Sequence, residues 1–138
     1  MTDPPVEFLS LLGDAGLLED GESPVFEAME GGVASDIWRA DLKRGPVCVK
    51  KALAKLKVAE DWRAPIERNA YEAEWLEIAG SIIPGAAPEI LARDAAQGMF
   101  AMEYFEPEQF PCWKDQLLQG RVDVPFAASV GKSLAHIH

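Results

Sequence analysis

The sequence predicts an α+β fold: a five-stranded antiparallel sheet with one packed helix, followed by a polar connector and further helices. Five short runs have strand character, glycine- and proline-bearing turns separate them, and one segment between the third and fourth run switches to helical spacing. A chain of 138 residues, 49% hydrophobic and 26% charged, supports one modest core and not two large ones.

From Val6 to Leu18, Phe8, Leu9, Leu11, Leu12, Leu17 and Leu18 mark a short amphipathic helix, interrupted around Gly13–Gly16, that acts as a lid on the core. Pro24–Met29, Asp36–Leu42 and Pro46–Lys51 have strand character. The Gly31-Gly32 pair and Lys43-Arg44-Gly45 separate them, which makes an antiparallel meander. The next stretch, Leu53–Trp62, is basic and irregular. Pro65 suits the first turn of a helix running to about Ala79, with Ile66, Ala70, Ala73, Leu76 and Ala79 as its apolar face. A proline-rich break at Ile83–Pro88 leads to strands at Glu89–Ala92 and Met99–Phe105, bent around Asp94–Gly98. Beyond Phe105, Glu-Pro-Glu-Gln-Phe-Pro disfavours regular structure before Trp113–Gln119 and Pro125–His138 resume as helices. The expected organisation is an N-terminal helical segment at 1–24, a sheet-bearing unit at 25–105, and a linker with the first helices of a second unit at 106–138.

A net charge of −10 argues against non-specific binding to nucleic acid or an anionic membrane. The average hides an uneven distribution: Arg39 to Arg68 holds nine of the thirteen Lys and Arg residues against Asp41, Glu60, Asp61 and Glu67. No run approaches the roughly 18 apolar residues of a membrane span, and MTDPPVEF lacks a signal-peptide profile, so a cytoplasmic location is expected. Cys48 and Cys112 have neither CxxC spacing nor a histidine cluster, which predicts reduced thiols.

Four features carry chemistry. Glycines and small residues from Gly31 to Ser35 lie between two strands, where backbone amides can approach phosphate oxygens without intervening side chains. Val47-Cys48-Val49-Lys50 is a strand ending in lysine, and alternation puts Cys48 and Lys50 on one face. A lysine buried beside phosphates needs an acidic partner, and the following helix offers Glu67, Glu72, Glu74 and Glu77. Glu72 lies near the inward stripe, with Glu74 the other choice. Met99–Phe105 is an apolar strand entering a proline-broken connector, whose backbone can present donors and acceptors to a flat ring.

Strand, glycine-rich hairpin, strand, strand ending in lysine, helix with glutamate, two strands and a connector: this order resembles the amino-terminal lobe of the protein-kinase-like superfamily. Within it the sequence is similar to the aminoglycoside phosphotransferase and choline kinase family of small-molecule kinases, since Gly31-Gly32 opens the hairpin without a full GxGxxG. The resemblance covers Val25 to His138. It implies that Gly31, Gly32, Val33, Ala34 and Ser35 cover the phosphates of ATP, the Ser35 hydroxyl included, and that Ile37 covers the adenine. Lys50 would contact the α and β phosphates and pair with Glu72, while Cys48 lies deeper, against the adenine. Met102 would form the back of the pocket, with the Glu103 carbonyl and the Phe105 amide bonding the adenine edge. His136 and His138 fall on the helix that precedes the catalytic loop in such kinases, where they are structural.

The family's His-Gly-Asp segment, its downstream Asn and its metal-binding Asp have no counterpart in these 138 residues. No catalytic residue and no metal ligand is therefore expected here. Mg2+ would be held by a further lobe, and this piece alone should be inactive. The intact protein would transfer the γ-phosphate of ATP to a hydroxyl of a small metabolite or aminoglycoside-like substrate. The expected partners are nucleotide and small molecule, with neither nucleic acid nor membrane, and the exposed lobe interface invites self-association. The rival reading is a non-catalytic regulatory or protein-interaction module that offers its acidic flanks and the Phe105–Trp113 stretch to a partner.

Overall fold

The computed structural model describes residues 3–138. Helix α1 (Glu7–Asp14) precedes strands β1 (Val25–Ala28), β2 (Ser35–Leu42) and β3 (Gly45–Ala52). Helix α2 (Arg68–Ile82), strands β4 (Ile90–Asp94) and β5 (Met99–Glu103), and helices α3 (Trp113–Leu118) and α4 (Val124–Ile137) follow. The five strands form one antiparallel sheet in the order β1-β2-β3-β5-β4, which puts the lysine-bearing β3 at its centre. The β2–β3 connection is a tight turn in which Leu42 pairs with Gly45, whose φ of 116° favours glycine.

Strand alternation gives the sheet two unlike faces. Trp38, Ala40, Val47, Val49 and Ala101 point to one side and pack with Phe8, Leu11, Leu12 and Leu17 in a single apolar core. Helix α1 is thus built into the core of the sheet, because its i, i+3, i+4 leucines and phenylalanine have no other apolar surface to cover. The opposite face carries Ser35, Ile37, Cys48, Lys50 and Phe100 and is covered by α2.

Helix α2 buries only small or polar residues, Asn69, Ala73 and Ala79, and exposes Tyr71, Trp75, Ile78 and Ile82. Alanines let the helix backbone approach the sheet closely, which brings the Glu72 carboxylate within reach of β3. The helix starts at Arg68 rather than at Pro65: the Ala64 and Pro65 carbonyls accept from the Arg68 guanidinium, and Ile66 and Glu67 form a turn ahead of the helix. It runs on to Ile82, ending where Ile83 turns extended ahead of Pro84.

Three other boundaries move. Strand β4 continues to Asp94, which pairs with Met99, and β5 stops at Glu103 because Phe105 leaves the sheet and stacks on Phe110, with ring centroids 4.6 Å apart. The stretch Leu53–Trp62, expected to be irregular, forms with the residues just after it a small hairpin. Leu56 N donates to Trp62 O (2.9 Å), Lys55 pairs with Arg63, and Lys57 N donates to Val33 O (2.8 Å). The periodicity was too short to show it, since its hydrogen bonds run to the glycine hairpin as well as within itself. Helix α4 is capped by Asp123, whose Oδ1 accepts from Phe126 N at 2.9 Å, and it meets α2. Helices α3 and α4 contribute no buried residue, and no helix among the described residues is long and apolar enough to cross a membrane.

Candidate functional site

The centre of the site is an ion pair. Lys50 Nζ, near the end of β3, lies 2.6 and 2.8 Å from Oε1 and Oε2 of Glu72, which stands on the first turns of α2. The lysine side chain is only 16% exposed and the carboxylate is half-buried, so the ammonium is held in one place at the sheet surface. Glu74, the other candidate from the sequence, is exposed and makes no ion pair among the described residues.

Ile37 pairs directly with Lys50, Lys50 with Phe100, and Cys48 with Met102, so Ile37, Cys48, Lys50 and Met102 share one face around the pair. Cys48 is 4% exposed, and burial pushes its thiol up to about 11, well above the ordinary range. It is a compact wall residue and a poor nucleophile in this state.

The glycine hairpin closes one end. Gly31 has φ 101°, and a Cβ on Gly32 would stand 2.5 Å from the Ser35 carbonyl oxygen, so both positions require glycine for backbone reasons. The amides of Gly31, Gly32, Val33 and Ala34 donate to nothing among the described residues. The carbonyls face the other way: Val33 O accepts from Lys57 N, and Ala34 O accepts from Leu53 N (3.0 Å) and from Arg68. The side chain of Ser35 departs from the expected role. Its hydroxyl is buried and lies 3.4 Å from Asn69 Oδ1, because residue 35 already belongs to β2 and alternation turns it under α2.

The other end is the connector. Arg39, on the same face as Cys48, stacks its guanidinium 4.9 Å from the centre of the Tyr104 ring and pairs with Asp41 (2.8 Å) and Glu106 (3.7 Å). A cavity of about 410 Å³ opens there between the two loops, lined by Met29, Glu30, Arg39, Tyr104 and Glu106 among others. The Glu103 amide donates to Glu89 O at 2.9 Å, while the Phe105 amide has no acceptor among the described residues. Sequence reasoning passed over Arg39 and Tyr104, and also Arg68 and Asn69. An asparagine four positions before Ala73, on the inward alanine stripe, was the available signal for Asn69.

No group of three or more His, Cys, Asp or Glu among the described residues could hold a metal ion.

No family model and no curated protein matches the chain. Among solved structures the chain is similar to a "putative fructosamine-3-kinase" from Thermobifida fusca YX-ER1, at 20% sequence identity and a TM-score of 0.42, covering 70% of this chain and 31% of that one. The chain therefore spans about a third of the length of that structure.

Proposed function

We propose that this chain is the nucleotide-holding lobe of an ATP-dependent small-molecule kinase in the aminoglycoside phosphotransferase and choline kinase family. The single observation that carries the reading is the Lys50–Glu72 pair, set beside a glycine hairpin whose four amides have no acceptor among the described residues. A fixed ammonium together with free amides suits the α and β phosphates of ATP, since both are oriented before the anion arrives and need little reorganisation. Glu72 keeps Lys50 from reaching solvent, Ile37 and Cys48 offer apolar surface to one side of a ring, and the Phe105 amide with the Glu103 carbonyl offers a polar edge. The acceptor hydroxyl, its base and the carboxylates for Mg2+ would come from a second lobe, to which 106–138 is the approach.

An alternative, a non-catalytic interaction module, is favoured by one feature. Helix α4 buries no residue and leaves Val124, Phe126 and Leu134 exposed, as a helix awaiting a partner would.

Equilibrium binding of ATP and of adenosine to the 138-residue chain tests the primary reading. ATP should bind weakly, with Kd on the order of 1 mM because only part of the pocket is present. Glu72→Gln should weaken ATP while leaving adenosine unchanged. Equal affinity for ATP and adenosine, or no effect of Glu72→Gln, would remove the phosphate reading and leave the interaction module.

A further inference from the structure

We infer that Arg68 is a positioning residue that fixes the glycine hairpin over the Lys50–Glu72 pair. Its guanidinium is spread across four carbonyl oxygens from three stretches of chain. Nη2 donates to Ala34 O and to Leu53 O (2.7 Å), and Nη1 donates to Ala64 O (3.1 Å) and Pro65 O. No carboxylate lies within ion-pair distance among the described residues, so the cation is held by carbonyl dipoles alone. Ala34 is the last residue of the glycine hairpin before β2, and Leu53 directly follows β3, three residues after Lys50.

The neighbouring residue makes a second tie in the same place. Asn69 is buried, donates through Nδ2 to Gly98 O at 2.9 Å, and accepts at Oδ1 from Ser35. Gly98 O also accepts from Ala52 N at 2.9 Å, which joins this tie to the end of β3. Arg68 and Asn69 thus pin the exit of the hairpin to the first turn of α2, and Glu72 comes one turn later, at i+4 from Arg68. One rigid helical turn therefore sets both the height of the free amides and the position of the ammonium, and a shift of α2 carries the two together. Arginine is required for this, because its planar fork reaches acceptors on both sides, whereas a lysine ammonium donates from a single point.

The consequence for phosphate binding rests on the nucleotide reading above, and the control of the hairpin does not, so the two are measured separately on the full 138-residue chain. Hydrogen exchange should show the Leu53 and Lys57 amides, which donate to Ala34 O and Val33 O, exchanging roughly tenfold faster in Arg68→Lys, the effect of one net hydrogen bond. The Val49 and Ala101 amides at the sheet centre should be unchanged. Ser35→Ala, which removes only the Asn69 tie, should give a smaller acceleration at the same amides, and Arg63→Lys none. ATP affinity should fall about tenfold in Arg68→Lys with adenosine affinity preserved, as expected when phosphate donors lose alignment. If loop amides accelerate but the wild-type chain binds no ATP, the nucleotide reading fails while hairpin positioning stands. If Arg68→Lys leaves the loop amides unchanged, or speeds sheet and loop amides alike, the positioning role is overturned.

Discussion

Two adjacent lysines divide the molecule. Lys51 turns to the face covered by α1 and meets Glu7 at 3.1 Å, while Lys50 turns to the face covered by α2 and meets Glu72 at 2.6 Å. Around Lys51 the sheet is dry: Phe8, Leu12, Trp38 and Val49 interlock, and its ion pair decorates the rim of a core. Around Lys50 the same sheet is lined by Cys48, buried Ser35 and Asn69, and a hairpin whose amides have no acceptor among the described residues. The first face is organised for burial, and the second keeps a fixed ammonium beside amides that have no acceptor among the described residues. The residue types are nearly the same, so surroundings make the difference: the α1 face packs large side chains, and the α2 face packs alanines that leave room for polar groups.

The largest effect should fall on the α1 face. Phe8→Ala, which empties a fully buried site, should cost about 3–5 kcal/mol in urea unfolding. Ser35→Ala on the other face should cost about 1 kcal/mol, one hydrogen bond. Comparable costs would mean that both faces are stability cores. Gly32→Ala should come next, with a loss of about 1–3 kcal/mol from the clash with the Ser35 carbonyl, and its effect on ATP binding should exceed its effect on adenosine.

A smaller contrast concerns the cysteines. Cys112 is exposed and Cys48 is buried, so at pH 8 a small thiol reagent should modify Cys112 at least roughly 100-fold faster, because the thiolate is the nucleophile. The Cys48 pKa is raised from 9.0 to about 11 by burial, so the folded state holds its proton more tightly than the unfolded chain. Its contribution to stability is therefore complete below about pH 9 and lost as pH rises towards 11. Cys48→Ala should flatten that alkaline part of the stability profile, and an unaltered slope would show that the thiol is not the titrating group.

Much of this was legible in sequence. Short runs of strand character bounded by glycine and proline located all five strands to within a few residues, and alternation put Cys48 and Lys50 on one face, because a period of two has only two solutions and the apolar valines choose between them. Helix α2 was harder. Tyr71, Trp75, Ile78 and Ile82 form as regular an apolar stripe as Ala73, Leu76 and Ala79, and only the close approach to the sheet decides that alanines go in. The inward turn of the Ser35 hydroxyl was missed because it depends on the strand starting at 35 and not at 36. The hairpin at 53–64 and the reach of Arg68 rest on hydrogen bonds to backbone carbonyls far along the chain, which no side-chain pattern records.

The most direct test of the central claim is an NMR titration of the chain with ATP, repeated on Lys50→Ala and Lys51→Ala. Binding through the α2 face predicts shifts clustered at Gly31–Ser35, Ile37, Lys50 and Met102–Phe105, weakened at least tenfold in Lys50→Ala, for loss of a charged contact, and kept within about twofold in Lys51→Ala. Shifts scattered over the α1 face, or equal losses in the two variants, would contradict a phosphate site built on Lys50.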